Sequence, residues 1–374
     1  MTGLHTLVVR QDNLGDVLLA GPCVRAVAAG SGRVTLLVGP RGSAAAALLP
    51  DVDEVLVWEA PWIDPEPVWP GSDSVLDLVD RLRGRRFDRA LILTSFHQSP
   101  LPTAVLLRMA GVPWIAAISD DYPGALLDVR HRLDADVPEA ERALDLARRA
   151  GYQLPRGDDG RLRLRAELPD PAPFVGSEPY VVVHPGASAA ARTASAGWWA
   201  RTVRSLALRG HRVVVTGGPD ESALTRAVAG SAIDLGGRTT FAELAAVLRS
   251  AAVTVAPNTG AAHLSAAVGT PVVSLFAPIV PVERWGPYGI RSIVLGDQHA
   301  PCRGSRARRC DLAAHPCLDA IDPRDVGGAV EKLLRNSSLE REYPRVWKQG
   351  TTGILRSKPP TGPTCQAQFR NEES

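Results

Sequence analysis

Residues 10–22, RQDNLGDVLLAGP, follow an apolar strand-like run and place Gln11, Asp12, Asn13 and Asp16 around one glycine, Gly15. A turn needs polar residues, but two carboxylates and two amides exceed that need. A carboxylate held where a strand gives way to a helix can take a proton from an attacking hydroxyl. Local pattern does not choose between Asp12 and Asp16.

Three later segments carry features suited to an anionic ligand. In VTVAPNTGAAHLSAAVG, residues 253–269, a strand ends at Pro257, and Asn258 or Thr259 can cap the helix that follows. Gly260 and Ala261 leave the first-turn N–H groups uncovered, at the positive end of the helix dipole. An ordinary N-cap is the competing reading. In VVVHPGASAAARTASAGWW, residues 181–199, His184 ends a strand, and Gly186 and Ser188 open a small-residue loop with one cation, Arg192. Such a backbone can approach phosphate oxygens, and an arginine fork can bind two of them. A solvated loop arginine and a packed strand-end histidine are the alternatives. In TGGPDESALTRAVAG, residues 216–230, Asp220 and Glu221 open a helix. There an acid either complements the dipole or holds ribose hydroxyls.

These segments need a scaffold, and the chain supplies one. Short aliphatic runs (TLVVR, RVTLLVG, EVLVW, RALILT, WIAAIS) alternate with helix-periodic ones, the pattern of a parallel sheet covered by helices. Residues 155–179 are polar and rich in Pro and Gly, as a linker is. A second series then starts at YVVVHPG and closes with PRDVGGAVEKLLR. The expected architecture is α/β: two Rossmann-like, doubly wound domains, residues 1–165 and 175–336, facing a central cleft. Beyond 336 periodicity fades, and residues 337–374 are expected to be largely disordered.

Composition narrows the function. The 374 residues suit two domains, and 42 Lys+Arg against 40 Asp+Glu give no reason to expect nucleic-acid binding. No stretch approaches the roughly 20 apolar residues of a membrane span. The expectation is a cytoplasmic protein without integral membrane contact, any membrane association being peripheral at the inner face. The P-loop and GxGxxG patterns are absent from the first βα junction. Three of five cysteines, Cys302, Cys310 and Cys317, cluster without a CxxC pair, so a zinc site would need His299 or His315. Packing by small thiols is the simpler reading, with no metal and no cofactor. Elsewhere, TSFHQSPLP places His97 and Gln98 after a strand, and WEAPWIDPEPVWP concentrates three tryptophans that can pack, stack on a sugar or meet a membrane interface.

Together, RQDNLGDVLLAGP, HPGASAAAR, TGGPDE, PNTGAAHLSAAVGTPVVSLFAP…ERWGPYG and the cysteine segment PCRGSRARRC…HPC resemble the heptosyltransferase-type family of glycosyltransferases (family 9, GT-B fold) over roughly residues 4–335. The resemblance implies an inverting, metal-independent transfer of a heptose-like sugar from a nucleotide diphosphate donor, ADP-sugar favoured. It implies Asp16 as general base, with Asn13, Gly15, His97 and Gln98 on the acceptor side. Donor contacts are implied for His184, Gly186, Ser188, Arg192, Glu221, Asn258, Thr259, Gly260, Ala261 and His263. The acceptor is a glycan, a lipid-linked core or a small molecule. Three positions depart from the family: Asn258 replaces the usual acid, Arg192 the usual lysine, and Ile279–Val280 stand where polar residues are common. The rival readings are a nucleotide-sugar epimerase or hydrolase and a non-catalytic binding protein.

Overall fold

In the computed structural model the residues described are 3–64, 67–95, 97–133, 135–165, 167–312, 315–339 and 353–354. The first half runs β1 (His5–Arg10), α1 (Leu14–Leu19), α2 (Gly21–Ala29), β2 (Arg33–Val38), α3 (Ser43–Ala46), β3 (Glu54–Val57), α4 (Ser72–Arg85), β4 (Arg89–Ile92), α5 (Leu101–Met109), β5 (Trp114–Ile118), β6 (Val129–His131) and α6 (Glu139–Arg149). After α7 (Ala172–Val175) come β7 (Val181–Val183), α8 (Ala196–Leu208), β8 (Val213–Val215), α9 (Ser222–Ala229), β9 (Ile233–Asp234), α10 (Phe241–Ser250), β10 (Val253–Pro257), α11 (Gly260–Ala267), β11 (Val272–Leu275), α12 (Val282–Trp285), β12 (Ser292–Leu295), α13 (Pro316–Asp319) and α14 (Pro323–Leu339).

Both sheets are parallel. The first is ordered β3-β2-β1-β4-β5-β6; the second runs β12-β11-β10-β7-β8-β9, with Gly353–Ile354 (β13) added beside β12. Central strands are buried on both faces, which is why β1 and β10 read as continuous apolar runs rather than alternating ones. Strand order reverses between β1 and β4 and again between β7 and β10. Such reversals open a crevice at the carboxyl ends of the strands, where α/β sheets bind ligands. In the stretch expected to lack regular structure, α14 continues to Leu339 and Gly353–Ile354 pair with the sheet; the rest of 337–374 lies outside the described residues.

Side chains fix the loops at those ends. Trp198 and Trp199 are fully buried and meet edge to face, centroids 5.1 Å apart. The Trp199 Nε1–H donates to Thr193 Oγ1 at 2.9 Å, and Thr193 donates to the Pro185 carbonyl. Trp199, through Thr193, thus ties together both ends of the 185–193 loop. α10 carries a capping box in which Glu243 N–H donates to Thr240 Oγ1 and the Glu243 carboxylate accepts from Thr240 N–H.

The expected linker is, in its first part, a strap. Arg25 of α2 donates to both Asp158 oxygens, at 2.7 and 3.0 Å, and to the Arg161 carbonyl at 2.8 Å. Arg165 donates to the carbonyls of Leu49 and Val52, at 3.1 and 3.0 Å. The charges of this polar stretch bind it to the first domain. Arg25→Met removes two charged donors from the part-buried Asp158 carboxylate, which keeps Gly160 N–H and Arg163, and is expected to cost about 1.5–3 kcal/mol. Urea unfolding measures this, and a loss below about 1 kcal/mol would mean that the pair is dispensable.

Candidate active site

β1 carries Arg10 to its carboxyl end, where the guanidinium is buried among carboxylates. Its Nε lies 3.1 Å from Asp12 Oδ2, its Nη2 3.0 Å from Asp16 Oδ1, and its Nη1 4.0 Å from Glu139 Oε2. Nη2 also donates to Ser95 Oγ at 3.2 Å. Burial opposes the charge of Arg10, but Asp12, Asp16 and Glu139 more than offset it and raise its pKa. Burial pushes Asp12 and Glu139 upward, against the pull of Arg10 on both.

The two aspartates have different surroundings. Asp12 is buried, and its Oδ1 accepts from Gln98 Nε2 at 2.7 Å and Ser95 Oγ at 3.4 Å. Gln98 Oε1 accepts from Ser95 N–H at 2.9 Å, so both ends of the Gln98 amide are used within the first domain. Asp16 lies in the first turn of α1, with Asn13 as N-cap, and is more accessible. Its Oδ1 accepts from Arg10 and from Trp285 Nε1, the latter at 3.4 Å, across the domain boundary.

The second domain faces this group with the Ala190–Arg192 turn and the start of α11. Arg192 is largely buried, which lowers its pKa while Asp16 raises it, and its Nε has no hydrogen-bond partner among the described residues. Thr259 is the N-cap of α11, yet its side chain makes no cap bond, so the first-turn N–H groups are not claimed by it. Asn258 is buried beside it. α1 and α11 cross closely: a Cβ on Gly15 would lie 2.7 Å from His263 Cδ2, so glycine is needed for the contact. The position expected to serve the acceptor is therefore first a packing position between the domains.

Asp12, Asn13, Gly15, Asp16, His97 and Gln98 line one side of the cleft, and Ser188, Arg192, Asn258, Thr259, Gly260 and His263 the other. His184, Gly186, Glu221 and Ala261 are not part of this lining. His184 Nδ1 bonds Thr216 Oγ1 at 3.0 Å, and its Nε2 is 3.7 Å from Glu221 Oε2. Glu221 Oε2 accepts from Gly218 N–H at 2.7 Å, and a Cβ on Gly186 would fall 1.8 Å from Oε1. In this structure Gly186 makes room for the Glu221 carboxylate.

The sequence reading missed Arg10, Glu139 and Trp285 as site residues, together with Arg41, Arg306 and Arg308 on the cleft wall. Arg10 had a visible signal, a charge at the end of an apolar strand. Arg306 and Arg308 arrive on the cysteine segment, where burial pushes the Cys317 thiol up to about 12 and keeps it protonated. Among the described residues no three His, Cys, Asp or Glu side chains gather to hold a metal ion.

His263 is buried at the junction of the domains, which pushes its pKa down from 6.5 to about 4; Asp16 raises it slightly and Arg192 lowers it. A folded value below the unfolded one means that the unfolded chain binds the extra proton first. The contribution to stability is complete above pH 6.5 and is lost as pH falls from there through about 4. Urea midpoints across that range should fall less steeply for His263→Gln than for wild type; parallel curves would contradict the assignment.

Residues 75–314 match glycosyltransferase family 9 (heptosyltransferase). Lipopolysaccharide heptosyltransferase 3 of Escherichia coli is 32% identical over 186 residues, 47% of this chain and 52% of that protein. The chain spans about half the length of the curated relatives it matches. Among solved structures, the glycosyl transferase family 9 protein of Veillonella parvula superposes with a TM-score of 0.72 at 17% identity, covering 90% of this chain and 98% of that one. The E. coli ADP-heptose lps heptosyltransferase II gives 0.69 at 20% identity, covering 90% and 100%. These likenesses show the two-domain GT-B fold. With a family match over well over half of its length, the chain belongs to glycosyltransferase family 9, the heptosyltransferases.

Proposed function

We propose that the chain is an inverting glycosyltransferase that moves a heptose from ADP-heptose to an acceptor hydroxyl or amine, with Asp16 as general base. The observation that carries this reading is the placement of Asp16. Its Oδ1 is held by Arg10, while the side chain lines a cleft whose opposite wall holds Arg192 and the N-terminus of α11. The names of the relatives, which include ADP-heptose and lipopolysaccharide, support the donor and a glycan or lipid-linked acceptor.

Asp16 takes the acceptor proton as the acceptor oxygen bonds to the anomeric carbon, and the bond to the diphosphate breaks with its electron pair on phosphate. Arg192 and the open N–H groups near Thr259 and Gly260 stabilise the charge that develops there. Those groups fill the electrostatic role that a metal ion plays in other transferases, so the reaction as proposed requires no metal and no cofactor. Asn258, an amide where the family usually carries an acid, can still cap the helix but supplies no negative charge to orient the donor. Among the described residues no helix is long and apolar enough to cross a membrane, in keeping with a cytoplasmic enzyme that meets any lipid-linked acceptor peripherally.

ADP release from ADP-heptose, followed with and without core-oligosaccharide acceptors, tests the reading. Acceptor-dependent release is expected. Asp16→Asn should lower it by about 10²–10⁴-fold while calorimetry shows ADP binding retained. Acceptor-independent release would indicate a hydrolase, and ADP binding without turnover a non-catalytic protein. A fully active Asp16→Asn would end the assignment of Asp16 as the base.

A further inference from the structure

The motif ERWGPYG, residues 283–289, belongs to the second domain, yet its side chains bind the first. Arg284 pairs with Asp136 and lies 3.5 Å from Glu139 Oε1. Trp285 donates to Asp16 at 3.4 Å, and Tyr288 donates to Glu141 of α6. The segment is built to end sharply: Gly286 N–H donates to the Val282 carbonyl at 2.7 Å, and a Cβ on Gly286 would sit 2.7 Å from that same oxygen.

We infer that this segment positions the general base, so that Asp16 is correctly oriented only while the two domains are in contact. The inference rests on the glycosyl-transfer reading above. Arg10 and Trp285 both bond Oδ1 of Asp16. Oδ2 accepts no hydrogen bond among the described residues and is the oxygen left to take the acceptor proton. Two donors from different domains on one oxygen fix the carboxylate plane; one donor alone leaves it free to turn about Oδ1. A misplacement of this kind costs rate through orientation rather than through binding.

Arg284 supplies the second half of the linkage. Glu139 is buried between Arg10, Arg142 and Arg284, at 4.0, 3.7 and 3.5 Å. With Arg284 withdrawn, the buried Glu139 charge depends more on Arg10 and draws that guanidinium from Asp16. Separation of the domains therefore removes the indole donor from Asp16 and weakens its arginine at once. Trp285 and Arg284 are positioning residues, since both act through Asp16 or its partner.

Trp285→Phe keeps an aromatic ring, smaller than the indole, and deletes the N–H. Its kcat with ADP-heptose and acceptor should fall roughly ten- to hundredfold, with KM for ADP-heptose and the calorimetric Kd for ADP within about twofold of wild type. Arg284→Lys should retain more kcat than Arg284→Met. In an Asp16→Ala background, Trp285→Phe should leave the residual rate unchanged and lower Tm less than it does in wild type. A Trp285→Phe enzyme with wild-type kcat, or an equal Tm loss in both backgrounds, would overturn the inference. A wild type that releases no ADP with any acceptor overturns the parent reading and this one with it. An active wild type beside an equally active Trp285→Phe overturns this one alone.

Discussion

A single guanidinium, that of Arg10, sets what the rest of the site can be. It is buried at the end of β1 within ion-pair reach of Asp12, Asp16 and Glu139. An isolated charge there would be prohibitively costly, so the carboxylates are needed to keep it, and it is needed to keep them. Asp12 is spent on this balance and on Gln98. Asp12 and Asp16 both border the cleft and share the same cation, but Asp16, on the first turn of α1, is the more accessible of the two. The two aspartates differ in how far each is enclosed.

The second domain completes the balance. Arg284 counters Glu139, Trp285 reaches Asp16, and the Gly15–His263 contact brings α1 against α11 with no room for a side chain. The cleft wall of the second domain is thus held at packing distance from Asp16. Its loops are fixed from within their own domain, by Trp199 acting through Thr193 on residues 185–193 and by Glu221 seated over Gly186. Two of the glycines are explained by close approaches, Gly15 to His263 and Gly186 to Glu221.

Much of this was legible in the residues, because the responsible patterns are local. Aliphatic runs buried on both faces announce parallel strands, and the polar surplus around Gly15 marks a strand–helix junction with work to do. The site's support was hidden because it is not local. Trp285 and Asp16 are 269 residues apart. Glu139, at the start of an amphipathic helix, has the pattern of an acid complementing a dipole and says nothing of Arg10. Arg25 and Asp158 meet across 133 residues, which no local pattern shows. A polar, Pro/Gly-rich stretch looks the same whether it crosses solvent or is pinned down.

The central claim is that this arrangement presents one carboxylate for a single displacement at the anomeric carbon. The anomeric configuration of the product, read by NMR from the one-bond carbon–proton coupling of the transferred sugar, tests it most directly. The account requires a configuration inverted relative to the donor. Retention would demand a second displacement or a front-face departure, and would contradict Asp16 as the base of a one-step transfer.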